Sequence, residues 1–349
     1  MRVLEILAIV VMLLVSLQWL LPTNLGRLKR GTVMGASSLI GIVVLALHAL
    51  IEGMHWQLIP VYIPASLLFI WGVYKLIKIY RIHTGTAPAH EVDTSRRKFG
   101  AGVLIVCIIL VSTTLIIDSI LPVFSLPQPS GTLPIGTVTF DLTDDSRNET
   151  FTEATDDHRR ILIKAWYPAE ETTDLQIAPY INSPSQFSAG IQQSWGFPTI
   201  MTSHFALVKT HSFVNAPLSQ ASPSYPVLIF SHGYGGLAMQ NTVLMEELAS
   251  NGYIVFSIGH SYEAAVVSFP DGSAIYASDQ MYADIPGSLQ IWANDTVFLL
   301  DQLEVADNPV IPSLLHGGMD LTRLGVFGHS FGGTTAEEIM LKDNRFDVG

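Results

Sequence analysis

Four long apolar blocks, residues 3–21, 34–51, 58–79 and 99–121, occupy the first third of the chain and limit its fold more than any other feature. Each approaches the ~20 residues that a helix needs to cross about 30 Å of hydrocarbon. An all-α membrane region of four transmembrane helices is therefore expected over residues 1–121. The rest of the composition agrees, with 49% hydrophobic and only 14% charged residues, too apolar for an ordinary soluble chain of 349 residues. The first block also has the length of a secretory signal. Glu5 offsets Arg2, however, and "LPTNLG" after the block offers no small-residue cleavage site, so an uncleaved anchor is expected. The single cysteine, Cys107, lies within the fourth block, so no intrachain disulfide framework supports the fold.

Charge divides along the chain. Residues 1–121 hold 10 basic and 5 acidic side chains, net +5, and residues 122–349 hold 8 and 25, net −17. The acidic second part lacks the basic footprint that nucleic acid requires, so none is expected as a partner. The membrane is. Arg27, Lys29 and Arg30 follow the first block, while Lys75, Lys78, Arg81, Arg96, Arg97 and Lys98 flank the loop between the third and fourth. Placing both loops in the cytoplasm satisfies the positive-inside rule and puts everything after Leu121 outside. His48, Glu52 and Asp118 fall near the outer ends of their blocks, where water and headgroups are expected to satisfy them; the competing reading is an ion or substrate path.

"PVFSLPQPSGTLPIG" follows, too rich in Pro, Gly and Ser to continue a helix, and reads as a linker over residues 122–135. Beyond it the pattern changes. "GTVTFDL" (136–142) and "RRILIKAWYP" (159–168) alternate with period two, as half-buried strands do, and form an antiparallel opening. A buried strand at 227–231, a helix at 241–250, a strand at 253–258, a long helix opened by Pro286 and a short strand at 324–327 then give βαβ rhythm. Parallel strands with crossover helices imply a mostly parallel α/β sheet covered on both faces.

At the end of the last strand stands Gly328-His329-Ser330-Phe331-Gly332. Gly-x-Ser-x-Gly suits a sharp strand-to-helix turn: glycines without Cβ let strand and helix close together, and the serine is held strained and exposed as a nucleophile. Upstream, "FSHGYGG" (230–236) ends another strand in a His-Gly-x-Gly loop, where lipases and esterases place an oxyanion donor. The backbone N–H groups of Tyr234 and Phe331 are the expected oxyanion hole. Trp195, Phe197 and Phe187 are read either as lining an acyl pocket or as loop aromatics packing on the core.

"LIFSHGYGG", "LASNGYIVFSIGH", "WANDTVFLLDQLE" and "LGVFGHSFGG" resemble, in order and spacing, the platelet-activating factor acetylhydrolases of the α/β-hydrolase superfamily, over roughly residues 136–349. Related esterases and dienelactone-hydrolase-like proteins share much of the pattern. The resemblance implies a serine esterase without cofactor or metal, acting on short acyl groups of phospholipid-like or other lipophilic esters through Ser, then an acid, then His in chain order. No histidine follows Ser330, and His232, His260 and His329 are poorly placed as its base. Asp347, in "RFDVG", comes too early for the acid and reads as a polar residue at a strand entry. The expectation is thus a hydrolase domain cut off after its elbow helix, with the acid and base beyond Gly349, an unpaired edge at 324–327, and Ile339 and Met340 uncovered. A catalytically inactive membrane-bound binding or sensory protein on the same scaffold is the alternative.

Overall fold

The structure is a computed structural model that describes residues 2–17, 27–86, 97–170 and 174–349; residues 18–21 of the first apolar block and Arg96 of the second basic loop lie outside the described residues. The chain forms two compact units, Met1–Phe124 and Ser125–Gly349.

Among the described residues the first unit contains four α-helices: α1 (Val3–Leu17), α2 (Arg27–Ile51), α3 (Ile59–His83) and α4 (Arg97–Ile120). Segments Gly31–Ile51, Trp56–His83 and Ala101–Ile120 are long and apolar enough to cross a membrane, whereas α1 is apolar but described over 15 residues only. The unit has apolar side chains on both sides of its helices. Met12, Val44, Leu58, Val61 and Cys107 pack inward, while Leu67, Ile70, Ile105 and Ile116 face outward and exposed. Small residues allow α2 and α3 to approach closely. A Cβ on Gly72 would lie 2.6 Å from the Cβ of Ser38, the small-residue contact on which helices in lipid rely.

His48 and Asp118 correct the expectation that water and headgroups satisfy them. They are 0% and 1% exposed and face into the bundle, where Arg2, Glu5 and His55 gather. Being near a helix end does not by itself turn a side chain outward.

The second unit opens with β1 (Ile135–Asn148) and β2 (His158–Pro168), antiparallel with Ile135 opposite Pro168. Then come β3 (Ile177–Pro179), α5 (Pro184–Trp195), α6 (Thr199–Thr202), β4 (Lys209–Val214), β5 (Tyr225–Ser231), α7 (Thr242–Ser250), β6 (Ile254–Gly259), β7 (Val266–Ser268), β8 (Ala274–Tyr276), α8 (Ile285–Glu304), β9 (Met319–Gly328) and α9 (Phe331–Lys342). Seven strands form one sheet in the order β3-β4-β1-β2-β6-β5-β9, with β6, β5 and β9 mutually parallel. This is the mixed sheet of an α/β-hydrolase. Alternation along β5 shows why helices cover both faces. Val227 and Ile229 join Leu299, Leu300 and Ile339 from α8 and α9, while Phe230 joins Met245 and Ala249 from α7 on the other side.

Two details differ from the sequence reading. The last strand runs ten residues, Met319–Gly328, rather than four. Its outer side is not bare. Val348 bridges Gly325 in parallel, the Asp347 N–H donates to Leu324 O (2.8 Å), and the Leu324 N–H donates to the Asp347 carboxylate (2.9 Å). Ile339 is 1% exposed and Met340 packs on the core. The cause is the return of residues 345–348 along β9, clamped where Arg345 pairs with Asp301 and Glu304 of α8, each at 2.7 Å. The linker is also held in part, because the Gly131 and Leu133 N–H groups donate to Ser250 at the end of α7.

Candidate active site

Ser330 occupies the turn between β9 and α9 with φ +54° and ψ −117°, a conformation that costs a residue with a Cβ about 1–3 kcal/mol and persists only where its surroundings impose it. Crowding at the glycines imposes it here. A Cβ on Gly328 would lie 2.1 Å from the Gly332 carbonyl carbon, and one on Gly332 would lie 2.1 Å from Ser231 O. With neither Cβ present, β5, β9 and α9 meet backbone to backbone. The His329 N–H donates to Ser231 O (3.1 Å) and the Gly333 N–H to Ser330 O (2.9 Å). Ser330 itself is exposed.

Beside it lies the loop after β5. The Gly233 N–H donates to Gln240 Oε1 (2.8 Å), the Gly235 N–H to Glu263 O (3.0 Å) and the Gly236 N–H to Gly233 O (2.7 Å). Gly235 adopts φ +68°, which only glycine takes without strain. The N–H groups of Tyr234 and Phe331 meet no protein acceptor among the described residues. The Tyr234 and Phe331 rings pack edge to face with centroids 4.7 Å apart, which ties the loop to the elbow.

A carboxylate holds that loop from below. The Tyr234 hydroxyl donates to Glu263 Oε1 (3.1 Å) and meets Ser288 Oγ (2.8 Å), while Trp292 Nε1 donates to Glu263 Oε2 (2.8 Å). Burial pushes the Tyr234 phenol up to about 12, so it stays a neutral donor. Burial also raises Glu263, against the hydrogen bonds from Ser288 and Trp292.

In front of Ser330 opens a cavity of about 530 Å³, walled by Tyr180, Phe187, Ile191, Trp195 and Phe205, with Gln240 and His329 at its edge. Phe187 and Trp195 therefore line it. Phe197 is not among its lining residues and stands 48% exposed. An apolar cavity with a few polar groups at one end suits a lipophilic small molecule.

None of the three candidate histidines forms a hydrogen bond with Ser330 Oγ among the described residues. His329 Nδ1 meets Gln240 Nε2 (3.0 Å), and His232 Nδ1 meets its neighbour's carbonyl, Gly233 O (2.7 Å). Burial, with the nearby His260 ring, pushes His232 down to about 3. His260 stacks on Trp292 at 3.9 Å and binds elsewhere, Nε2 to Ser231 Oγ (3.2 Å) and Nδ1 to Asp295 Oδ2 (2.9 Å). Ser231, His260 and Asp295 thus form a fully buried chain that sequence reasoning missed, as it missed Glu263. One signal for Asp295 was available, since it shares the apolar stripe of α8 with Trp292, Leu299 and Leu303.

Residues 121–283, which include the oxyanion loop but end before Ser330, match the family model "Platelet-activating factor acetylhydrolase, isoform II". A probable 1-alkyl-2-acetylglycerophosphocholine esterase of Arthroderma benhamiae is 25% identical over 260 residues, 70% of this chain and 62% of its own length. The platelet-activating factor acetylhydrolase of Cavia porcellus is 26% identical over 214 residues, 54% of this chain and 48% of its own. The chain thus spans roughly half to three fifths of the length of these relatives. Among solved structures, a ferulic acid esterase from Streptomyces cinnamoneus superposes with a TM-score of 0.53 at 30% identity, covering 64% of this chain and 60% of that one. Family match, relatives and fold agree with the elbow and its neighbouring loop in one respect: over residues 121–283 the chain is similar to the platelet-activating factor acetylhydrolases.

Proposed function

We propose that the protein is a membrane-anchored serine esterase that hydrolyses short acyl esters of phospholipid-like or other lipophilic substrates. The observation that carries this reading is the strained, exposed Ser330 between two free backbone N–H groups at the mouth of an aromatic cavity. Ser330 Oγ attacks the ester carbonyl carbon, and its proton leaves to a base. The carbonyl oxygen takes the negative charge against the N–H groups of Tyr234 and Phe331, each worth roughly 10²–10³ in rate by comparison with other oxyanion donors. Collapse expels the alcohol, which takes up the proton, and water then cleaves the acyl-serine. The aromatic wall of the cavity takes up the lipophilic part of the ester. The apolar helices support attachment to a membrane, and the two basic loops favour an esterase unit outside the cytoplasm.

One observation favours a second reading. With no imidazole bonded to Oγ among the described residues, the scaffold also suits a binding or sensory protein that holds such a lipid without cleaving it. A single experiment separates the two. The full chain in detergent is treated with a fluorophosphonate probe and assayed on p-nitrophenyl acetate and on a 2-acetyl phospholipid, beside Ser330→Ala. The esterase labels at Ser330 and turns over, and Ser330→Ala does neither. Turnover that survives in Ser330→Ala removes the nucleophile assignment. Lipid binding without labelling establishes the second reading.

A further inference from the structure

The first unit buries a polar group that the esterase chemistry does not use. Glu5 lies on α1, His48 near the end of α2, and His55 just before the turn that leads into α3. All three are 5% exposed or less, and one donor atom from each lies within 4.8 Å of the other two.

Three further observations describe what would fill the space between them. First, among the described residues His48 Nε2 is buried without a hydrogen-bond partner, the Glu52 carboxylate being 3.8 Å away. A polar atom with no water and no partner is rare in a folded protein. Second, the tautomer of His55 is fixed. Gln57 Nε2 donates to Leu121 O (2.7 Å), so it is Gln57 Oε1 that faces His55 Nδ1 (2.9 Å), and that nitrogen carries the proton. In the neutral ring Nε2 is then a bare lone pair, 3.1 Å from Glu5 Oε1. Two acceptors face each other, and only a positive charge at that nitrogen reconciles them. Third, with neutral imidazoles three carboxylates, Glu5, Glu52 and Asp118, gather around two positive charges, the guanidinium of Arg2 and the N-terminal ammonium. A bound cation offsets the remaining negative charge.

We infer that Glu5, His48 and His55 bind one divalent transition-metal ion. Two imidazoles and a carboxylate are the donor set of zinc and its first-row neighbours; calcium and magnesium prefer all-oxygen surroundings. Bonds of ~2 Å to such donors ask for donor atoms roughly 3.3 Å apart, a spacing that the side chains reach by small inward rotations. The hydrogen bond from His55 Nδ1 to Gln57 orients the ring, as an outer partner does for a ligating histidine. The ion ties α1 to the connection between α2 and α3, a joint also made by Arg2, whose Nη1 donates to Glu52 O, and by the Leu4 N–H, which donates to Glu52 Oε1 (3.0 Å).

The test uses the full chain in nanodiscs, stripped with a chelator and titrated separately with Zn²⁺, Co²⁺ and Mg²⁺. One equivalent of Zn²⁺ is expected, with Co²⁺ giving the visible d–d bands of nitrogen and oxygen ligation and Mg²⁺ giving no binding. His48→Asn is expected to weaken Zn²⁺ by more than the ~10–100-fold that losing an outer partner causes. Because a substitution inside the bundle risks unfolding it, Gln57→Ala, which keeps all three donors, gives a second measure and should weaken Zn²⁺ within that ~10–100-fold range. No stoichiometric Zn²⁺ binding by the natural chain overturns the inference and leaves a proton on His55 as the charge. Undiminished binding by folded His48→Asn, or Mg²⁺ binding as tightly as Zn²⁺, overturns it equally.

Discussion

Two serines stand at the ends of neighbouring parallel strands, Ser231 on β5 and Ser330 in the turn after β9. Ser231 ends β5 opposite Gly328, two residues before Ser330. Ser231 has the connections of a catalytic triad, from its hydroxyl through His260 to Asp295, but all three are buried. Ser330 has the opposite endowment: strain, exposure, a cavity and, among the described residues, N–H donors without an acceptor and no imidazole bonded to it. A Ser-His-Asp chain is therefore insufficient to mark a nucleophile. Access and a place for developing charge distinguish the two.

The buried chain does other work. Although burial works against its ionisation, Asp295 is held well below the usual carboxylate range by Arg159, which reaches it at 2.7 Å, and by the hydrogen bond from His260. Burial lowers His260 and Asp295 offsets this only in part, so the ring stays neutral and lies flat on Trp292. Trp292 in turn supports Glu263, and Glu263 supports the oxyanion loop. The triad-like geometry belongs to the foundation of the site.

The largest expected effect breaks the comparison at its centre. In the active protein, Ser330→Ala should lower turnover by roughly 10⁶, as loss of the nucleophile does in other serine hydrolases, whereas Ser231→Ala should retain fluorophosphonate labelling at Ser330, read by mass spectrometry. Labelling found at Ser231 would reverse the roles of the two serines. Next in size is Asp295→Asn. It leaves Arg159 buried without its closest partner and should destabilise the unit by about 3–5 kcal/mol, measured by denaturant unfolding of the full chain in detergent. A loss below 1 kcal/mol would mean that the buried chain supports nothing.

How much of this could be read beforehand follows from what each residue contributes. The elbow and the oxyanion loop were legible because glycine spacing and a preceding apolar strand are local signals. β5 and β6 were legible because strands buried on both faces are continuously apolar. Asp295, Glu263 and Ser231 were not, since their roles depend on side chains 29 to 136 positions away. The stretch holding β3, α5 and β4 was missed as well, because its Pro, Ser and Gly content resembles a loop. His48 and Asp118 were located correctly along their helices but assigned to the wrong surroundings, because sequence position gives depth along a helix more readily than the direction of a side chain.

A third prediction concerns acid. His232 is kept neutral, with its folded value lowered to about 3 against ~6.5 in the unfolded chain. The unfolded state therefore binds more protons below pH ~6.5. The stability is complete above that value and falls progressively as pH drops toward about 3. The slope is about 1.4 kcal/mol per pH unit, so roughly 3 kcal/mol should be lost between pH 6.5 and 4. Denaturant midpoints measured across that window check it, and a flat profile would contradict a buried neutral ring beneath the loop.

The smallest effect is the most selective. In the proposed mechanism Tyr234 contributes a backbone N–H to the oxyanion and a phenol to the support below it, and Tyr234→Phe separates the two contributions. The substitution keeps the donor and the ring that packs on Phe331, removing only the hydroxyl between Glu263 and Ser288. Glu263 then loses one hydrogen bond and keeps that from Trp292, so stability should fall by about 1–2 kcal/mol. Turnover should drop by up to ~10-fold, well short of the ~10²–10³ expected from losing the N–H itself. The loss should appear in kcat rather than KM, because a loosened loop misplaces a donor that acts mainly on the transition state. If Tyr234→Phe instead raises KM with kcat unchanged, the hydroxyl serves substrate binding, and Glu263 is not the support of the oxyanion loop.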